Sequence, residues 1–186
     1  MDELQKQIIK NNPDYSKCLE CFLKITEQNY KSCEFPNEGV EFEYLMVRLF
    51  ELSGLQVSYS ITSAYEQIDG VIHLDQIPFL VESKKCKNKI DIEPIAKLMS
   101  RLQTRPSFTM GLIISFSGIT SAALEYMKYL QPRNIIIFQG TEIELAIKNA
   151  NTKNLLFRKL LEVKLKALIE RSIFDYHLNA FLEDIQ

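Results

Sequence analysis

The residues of this chain best placed to do chemistry are Asp69, Glu82 and Lys84, which lie on either side of a short turn candidate, Asp75-Gln76. If those two residues form a hairpin turn, Leu74 faces Ile77, and counting outward pairs Val71 with Leu80, Asp69 with Glu82, and Gln67 with Lys84. Side chains alternate across a strand, so all four then share one face, with directly opposed Cβ atoms about 5 Å apart. Two carboxylates so placed repel unless a cation or proton sits between them. Oxygen ligands of this kind suit Mg²⁺ or Mn²⁺, which take one or two carboxylates and complete their shells with water and phosphate. A lysine beside such a metal orients or helps deprotonate a water, or steadies charge developing on a phosphate, and each role serves phosphodiester hydrolysis. Spacing alone fits a second arrangement equally well: an exposed hairpin face on which Lys84 merely neutralises the acidic pair.

A fourth residue favours the first arrangement. On the helix expected from Glu38 to Ser53, Glu43 has Gly39 and Val40 behind it and Met46 and Val47 ahead at helical spacing, so its carboxylate projects from an apolar face. Charged groups seldom sit there without a partner. Its neighbour Glu41 lies beside Glu38, Tyr44 and Leu45 and is expected to be solvated.

The elements that must position these groups follow from periodicity. Gly54 stops the Glu38–Ser53 helix. The period then changes to two, and Leu55–Ser60, Gln67–Leu74 and Ile77–Lys84 read as strands. A helix opens near Asp91 to Pro94 and ends by Pro106. Phe108–Phe116 is an almost continuous apolar run, as in a strand buried on both faces. Thr120–Leu130 reads as helix, Asn134–Phe138 as strand and Thr141–Ala150 as helix. The order α-βββ-α-β-α-β predicts an α/β fold: a mixed central sheet flanked by helices. The chain divides into a helical N-terminal extension (1–35), this domain (36–150) and a helical C-terminal tail (151–186).

Four blocks in this order, Gly39-Val40-Glu41-Phe42-Glu43, Gln67-Ile68-Asp69-Gly70, Glu82-Ser83-Lys84 and Ser115-Phe116-Ser117-Gly118-Ile119-Thr120, resemble those of the PD-(D/E)XK, restriction-endonuclease-like nucleases, especially the Mrr-like branch. The resemblance covers residues 36 to 145. It implies that Glu43, Asp69 and Glu82 hold a metal, that Lys84 assists the water, and that Gln67 stands beside the site as a further polar residue. Ile68 replaces the proline usual in that family. The Ser115–Thr120 block is expected to close a strand and cap a helix, with Ser117 in reach of a phosphate.

From Lys84 to Arg105 there are seven basic residues against two acidic ones, although the whole chain carries a formal charge of −2. Lys97, Arg101 and Arg105 recur at four-residue spacing and, with Lys85 and Lys87, are expected to touch a nucleic-acid backbone. The implied activity is a metal-dependent endodeoxyribonuclease in restriction or anti-phage defence. Action on RNA or branched DNA, or an inactive nuclease-like binding module, are the alternatives, and four intact site residues argue against the last.

No stretch approaches a membrane span, and the start has no positively charged segment leading into an apolar one, so a cytoplasmic protein is expected. Cys18, Cys21, Cys33 and Cys86 are too irregularly spaced for a disulfide framework, and Cys18-x-x-Cys21 lacks a second pair for zinc. Apolar residues in the tail (Leu156, Phe157, Leu160, Leu161, Val163, Leu165, Leu168) exceed one narrow stripe, so this helix must cover the core, another domain or a second copy. Double-strand cleavage requires two active sites, which favours a homodimer.

Overall fold

A computed structural model of the chain describes residues 38–148 and 156–169. The expected N-terminal helix, Cys18, Cys21, Cys33 and the end of the tail lie outside the described residues. The elements are α1 (Glu38–Leu52), β1 (Gln56–Thr62), β2 (Gln67–Leu74), β3 (Ile77–Lys84), α2 (Ile92–Gln103), β4 (Met110–Ser115), α3 (Ser121–Tyr129), β5 (Ile135–Gln139), α4 (Gly140–Lys148) and α5 (Leu156–Ile169). The expected α-βββ-α-β-α-β order is present, with the bounds of β2 and β3 as expected and the others shifted by up to three residues.

The strands form one sheet in the order β1-β2-β3-β4-β5. β1, β2 and β3 make an antiparallel meander, and β4 and β5 extend it in parallel. Successive parallel strands advancing in one direction, each joined by a right-handed crossover, place both crossover helices on the same face. Accordingly α2 and α3 share a core with Leu80, Ile113, Ile135 and Ile137, to which they bring Ile95, Leu98, Leu102 and Ala123. The opposite face carries α1, α4 and α5 over Ile72, Phe79, Val81, Leu112, Ile114, Ile136 and Phe138. β4 thus presents Leu112 and Ile114 to one core and Ile113 to the other, which accounts for its apolar run. Phe108 lies outside the strand and is 62% exposed.

α1 is seated directly on the meander. Gly70 makes this possible: a Cβ there would stand 2.6 Å from Val47 Cγ2 and 3.1 Å from the Ser58 carbonyl oxygen. Gly54 ends the helix with φ 81, a conformation that costs glycine little. The apolar residues of α5 meet the core: Phe157, Leu160, Leu161 and Leu168 are buried, and the Phe157 ring packs edge-on to Phe50 at 5.5 Å. Over its described length, the helix finds the partner its composition demands within its own chain. Among the described residues no helix is long and apolar enough to cross a membrane.

Candidate active site

The β2–β3 hairpin turns where its sequence predicts, with Asp75 in the left-handed region at φ 54. Leu74 pairs with Ile77 and Val71 with Leu80, and the ladder continues to Gly70 opposite Val81. There it stops. The expected pairing of Asp69 with Glu82 and Gln67 with Lys84 is not made, because the Asp69 side chain intervenes: its Oδ2 accepts the Ser83 backbone N–H at 2.6 Å. A carboxylate thereby satisfies a buried donor that the antiparallel ladder has ceased to reach. On its other edge β3 continues, Glu82 pairing with Ile113 and Lys84 with Ser115. The site lies where the meander opens and the parallel half begins.

Glu82 is 4% exposed and both its oxygens are engaged. Oε1 accepts from Lys84 Nζ at 2.6 Å, as two residues on one strand face allow. Oε2 accepts from Arg101 Nη1 at 2.5 Å, across from α2. Burial acts to raise the Glu82 carboxyl, but these two cations outweigh it and hold it below the usual value. Lys84 is displaced in the complementary direction: burial lowers it, the bond to Glu82 overrides that, and the ammonium is held above its usual value.

The other two acids differ. Asp69, 8% exposed, is pushed up to about 6, first by burial and then by the Glu82 charge, against the Ser83 hydrogen bond that lowers it. Glu43 reaches in from α1, half-buried. Desolvation, and next the Asp69 charge, push it up to about 7, with Glu82 adding to the rise and Lys84 opposing it. Glu43, Asp69, Glu82 and Lys84 therefore occupy one electrostatic neighbourhood, with more negative charge than Lys84 and Arg101 balance. Glu41, expected at a solvated edge, is instead buried at 3%. α1 packs on β1, β2, β3 and α5 together, so burial extends round most of its circumference.

The basic stripe of α2 divides. Lys97 is exposed, as are Lys87 and Lys89, while Lys85 is half-buried. Arg101 turns inward to Glu82, with its Nε 4.0 Å from Glu66 Oε2. Arg105 pairs with the other oxygen of Glu66. Glu66 was not singled out in the sequence. The signal was available, since it stands just before β2 beside Gln67 and supplies an acid for two arginines four residues apart at and just beyond the end of α2. Gln67 is exposed at the start of its strand.

In the Ser115–Thr120 block, Ser115 Oγ donates to the Gly118 carbonyl at 2.7 Å and Thr120 caps α3 by accepting from Ala123 N. The Ser117 hydroxyl donates to the Cys86 carbonyl, tying the loop after β4 to the loop after β3. Cys86 is an exposed free thiol.

The sequence model of the Mrr_cat family, described as restriction endonuclease, matches residues 37–146, which contain all four site residues. The chain belongs to this restriction endonuclease family. The Mrr_cat match spans the five-stranded sheet and helices α1 to α3 with most of α4, and the mixed sheet is a restriction-endonuclease-like fold. Among solved structures, the chain is similar to the protein of unknown function AF1548, at 15% identity and TM-score 0.48, covering 79% of this chain and 94% of that one. It is also similar to the DNA modification-dependent restriction endonuclease AspBHI, at 14% identity and TM-score 0.44, covering 92% of this chain but 43% of that one. No curated protein matches the chain.

Proposed function

We propose that this member of the Mrr_cat family is a Mg²⁺- or Mn²⁺-dependent endodeoxyribonuclease that hydrolyses phosphodiester bonds, acting in cytoplasmic restriction or anti-phage defence. One observation carries this reading. Three carboxylates, Glu43, Asp69 and Glu82, converge with two of them pushed up by burial and mutual repulsion. An all-oxygen site short of positive charge fits a hard divalent cation. Among the described residues no group of three His, Cys, Asp or Glu side chains is arranged to hold a metal ion, so the ion would rest on Asp69 and Glu82 and not on a ready-made three-residue set. Mg²⁺ retains waters and takes one or two carboxylates together with substrate phosphate, so two protein carboxylates suffice for it.

Asp69 and Glu82 would hold the cation, with Glu43 completing the acidic wall. Bound there, a divalent ion supplies Lewis acidity and a water more easily deprotonated. The chain itself contributes position and charge. Asp69 is fixed by Ser83 N–H, so one of its oxygens is anchored to the backbone. Lys84 is held in its charged form by Glu82, which suits it to donate hydrogen bonds to a water and to a phosphate oxygen rather than to remove a proton. Exposed Lys87 and Lys97, with Lys85 and Ser117 at the same end of the sheet, are proposed to meet the DNA backbone.

The test is incubation of the purified chain with plasmid, single-stranded DNA and RNA, each with Mg²⁺, Mn²⁺ or EDTA, alongside Asp69→Ala and Lys84→Ala. Metal-dependent cutting of plasmid that both substitutions abolish is expected. Cleavage that survives in both variants overturns the reading, and preferential cutting of RNA reassigns the substrate.

A further inference from the structure

The same buried carboxylate that would bind the cation has no oxygen to spare. Lys84 occupies Oε1 of Glu82 at 2.6 Å and Arg101 occupies Oε2 at 2.5 Å. Lys84 belongs to the same strand two residues on, so its reach to Glu82 is built into β3. Arg101 is different. It comes from α2, its side chain is 14% exposed, and it stands between two acids: Nη1 on Glu82 and Nε 4.0 Å from Glu66 Oε2. Glu66 is meanwhile anchored through its other oxygen by Arg105, just beyond the end of α2. Glu66 is also fixed in the turn between β1 and β2, where its backbone N–H donates to Ser63 Oγ at 3.1 Å and its carbonyl accepts from Ser63 N at 2.8 Å. A second acceptor is thus held in place within about an ångström of hydrogen-bonding distance to the guanidinium.

We infer that Arg101 is a further positioning residue of the centre, which occupies the Glu82 oxygen in the metal-free protein and transfers to Glu66 when a divalent cation takes that oxygen. The inference rests on the metal-dependent reading above. An arginine fork suits the exchange, because it stays charged throughout and presents several donors in one plane, so it engages Glu66 fully without leaving the pocket. The exchange keeps every buried charge paired in both states. Without Glu66, displaced Arg101 would be left as an unmatched cation, and the metal would bind more weakly for it.

The experiment is a Mn²⁺ titration of the full chain without nucleic acid, following free Mn²⁺ by electron paramagnetic resonance, with circular dichroism confirming that each variant is folded. Arg101→Met is expected to bind Mn²⁺ about tenfold more tightly than the unsubstituted chain, the scale of one charge-assisted hydrogen bond removed from competition. Glu66→Gln is expected to bind about threefold more weakly. Simple through-space charge predicts the same two directions, so the double variant decides: with exchange, Glu66→Gln loses its effect once Arg101 is Met, whereas independent charges add. Additive effects, or an Arg101→Met affinity equal to or below that of the unsubstituted chain, overturn the inference. Asp69→Asn separates the two levels. If Asp69→Asn abolishes binding while Arg101→Met changes nothing, the exchange fails and the metal site stands. If the unsubstituted chain, Asp69→Asn and Arg101→Met all fail to bind Mn²⁺, both readings fall.

Discussion

Two buried glutamates of this molecule look alike until their charges are balanced. Glu142 at the start of α4 is 7% exposed, against 4% for Glu82, and each has a lysine Nζ within 2.7 Å. Around Glu142 every valence is used once. Oε1 takes Lys164 at 2.7 Å and Oε2 accepts the Gln139 N–H at 2.8 Å. Lys164, from α5, donates again to the Ile137 carbonyl at 2.8 Å and lies 5.5 Å from the centre of the Phe138 ring. One acid meets one base, and together they clip α5 to the end of β5. Around Glu82 three acids meet two cations, and two of the acids are pushed towards neutrality. Burial is common to both places; what separates the fastening from the proposed reactive site is the uncompensated charge. Natural proteins accept such a local conflict where function requires it.

Breaking the site should cost activity far more than it costs the fold. Lys84→Ala is expected to lower cleavage by roughly 10²- to 10³-fold, the scale of one preorganised electrostatic group, with only a modest fall in melting temperature because Arg101 still pairs with Glu82. Breaking the clip should do the reverse. Lys164→Met strands the Glu142 carboxylate in the core and is expected to cost about 3 kcal/mol in a urea unfolding experiment, while the cleavage rate per folded molecule holds.

The opposite sign is expected when a site acid is neutralised. Asp69→Asn keeps an oxygen for Ser83 N–H but removes a repelled charge, and should stabilise the chain by about 1 kcal/mol at pH 8 in the absence of metal. A loss of stability there would mean that the acidic cluster is not in conflict, and the contrast with Glu142 would disappear. pH sharpens the point. Glu43 rises from 4.5 to about 7 and Asp69 from 3.8 to about 6 on folding, so across that interval the folded chain holds protons that the unfolded chain has released. Stability from these groups is therefore full below their unfolded values and lost as pH rises through their folded ones. Metal-free unfolding between pH 4.5 and 8 should show this decline, and Glu43→Gln should remove its upper part near 7. The smallest effect expected concerns the surface: Lys97→Met should weaken DNA binding modestly and reduce the salt slope by about one. An unchanged slope would take Lys97 off the nucleic-acid path.

Much of this contrast is legible in the amino-acid sequence alone. The turn at Asp75-Gln76 fixed the hairpin register from Leu74 to Gly70, because a one-residue slip would have turned Ile72 and Leu74 out of the core. The element order, the Gly54 stop and the Thr120 cap followed from equally local rules. What could not be read were the points where a side chain takes over from the backbone. Nothing in strand periodicity shows that Asp69 will capture Ser83 N–H and end the ladder at Gly70. Helical spacing put Lys97, Arg101 and Arg105 on one stripe, yet only the third dimension shows that Arg101 points at Glu82 and Arg105 at Glu66. Glu41 departs from its expected solvated place for a related reason: periodicity describes one buried face, whereas α1 is enclosed by three strands and α5. The Glu142–Lys164 clip joins residues 22 apart across α4 and α5, a separation at which spacing carries no signal.

The bare backbone at Gly70 sets how close α1 may come to the sheet. Val47 rests there, and Glu43 lies one turn earlier on the same helix, so the hydrogen atom that stands in for a side chain at position 70 fixes the height of a carboxylate elsewhere. Even a methyl group would act as a shim under the helix, lifting Glu43 away from Asp69 and Glu82 while the hairpin beneath stayed in register. The third acid is thus held in range by empty space rather than by any bond of its own.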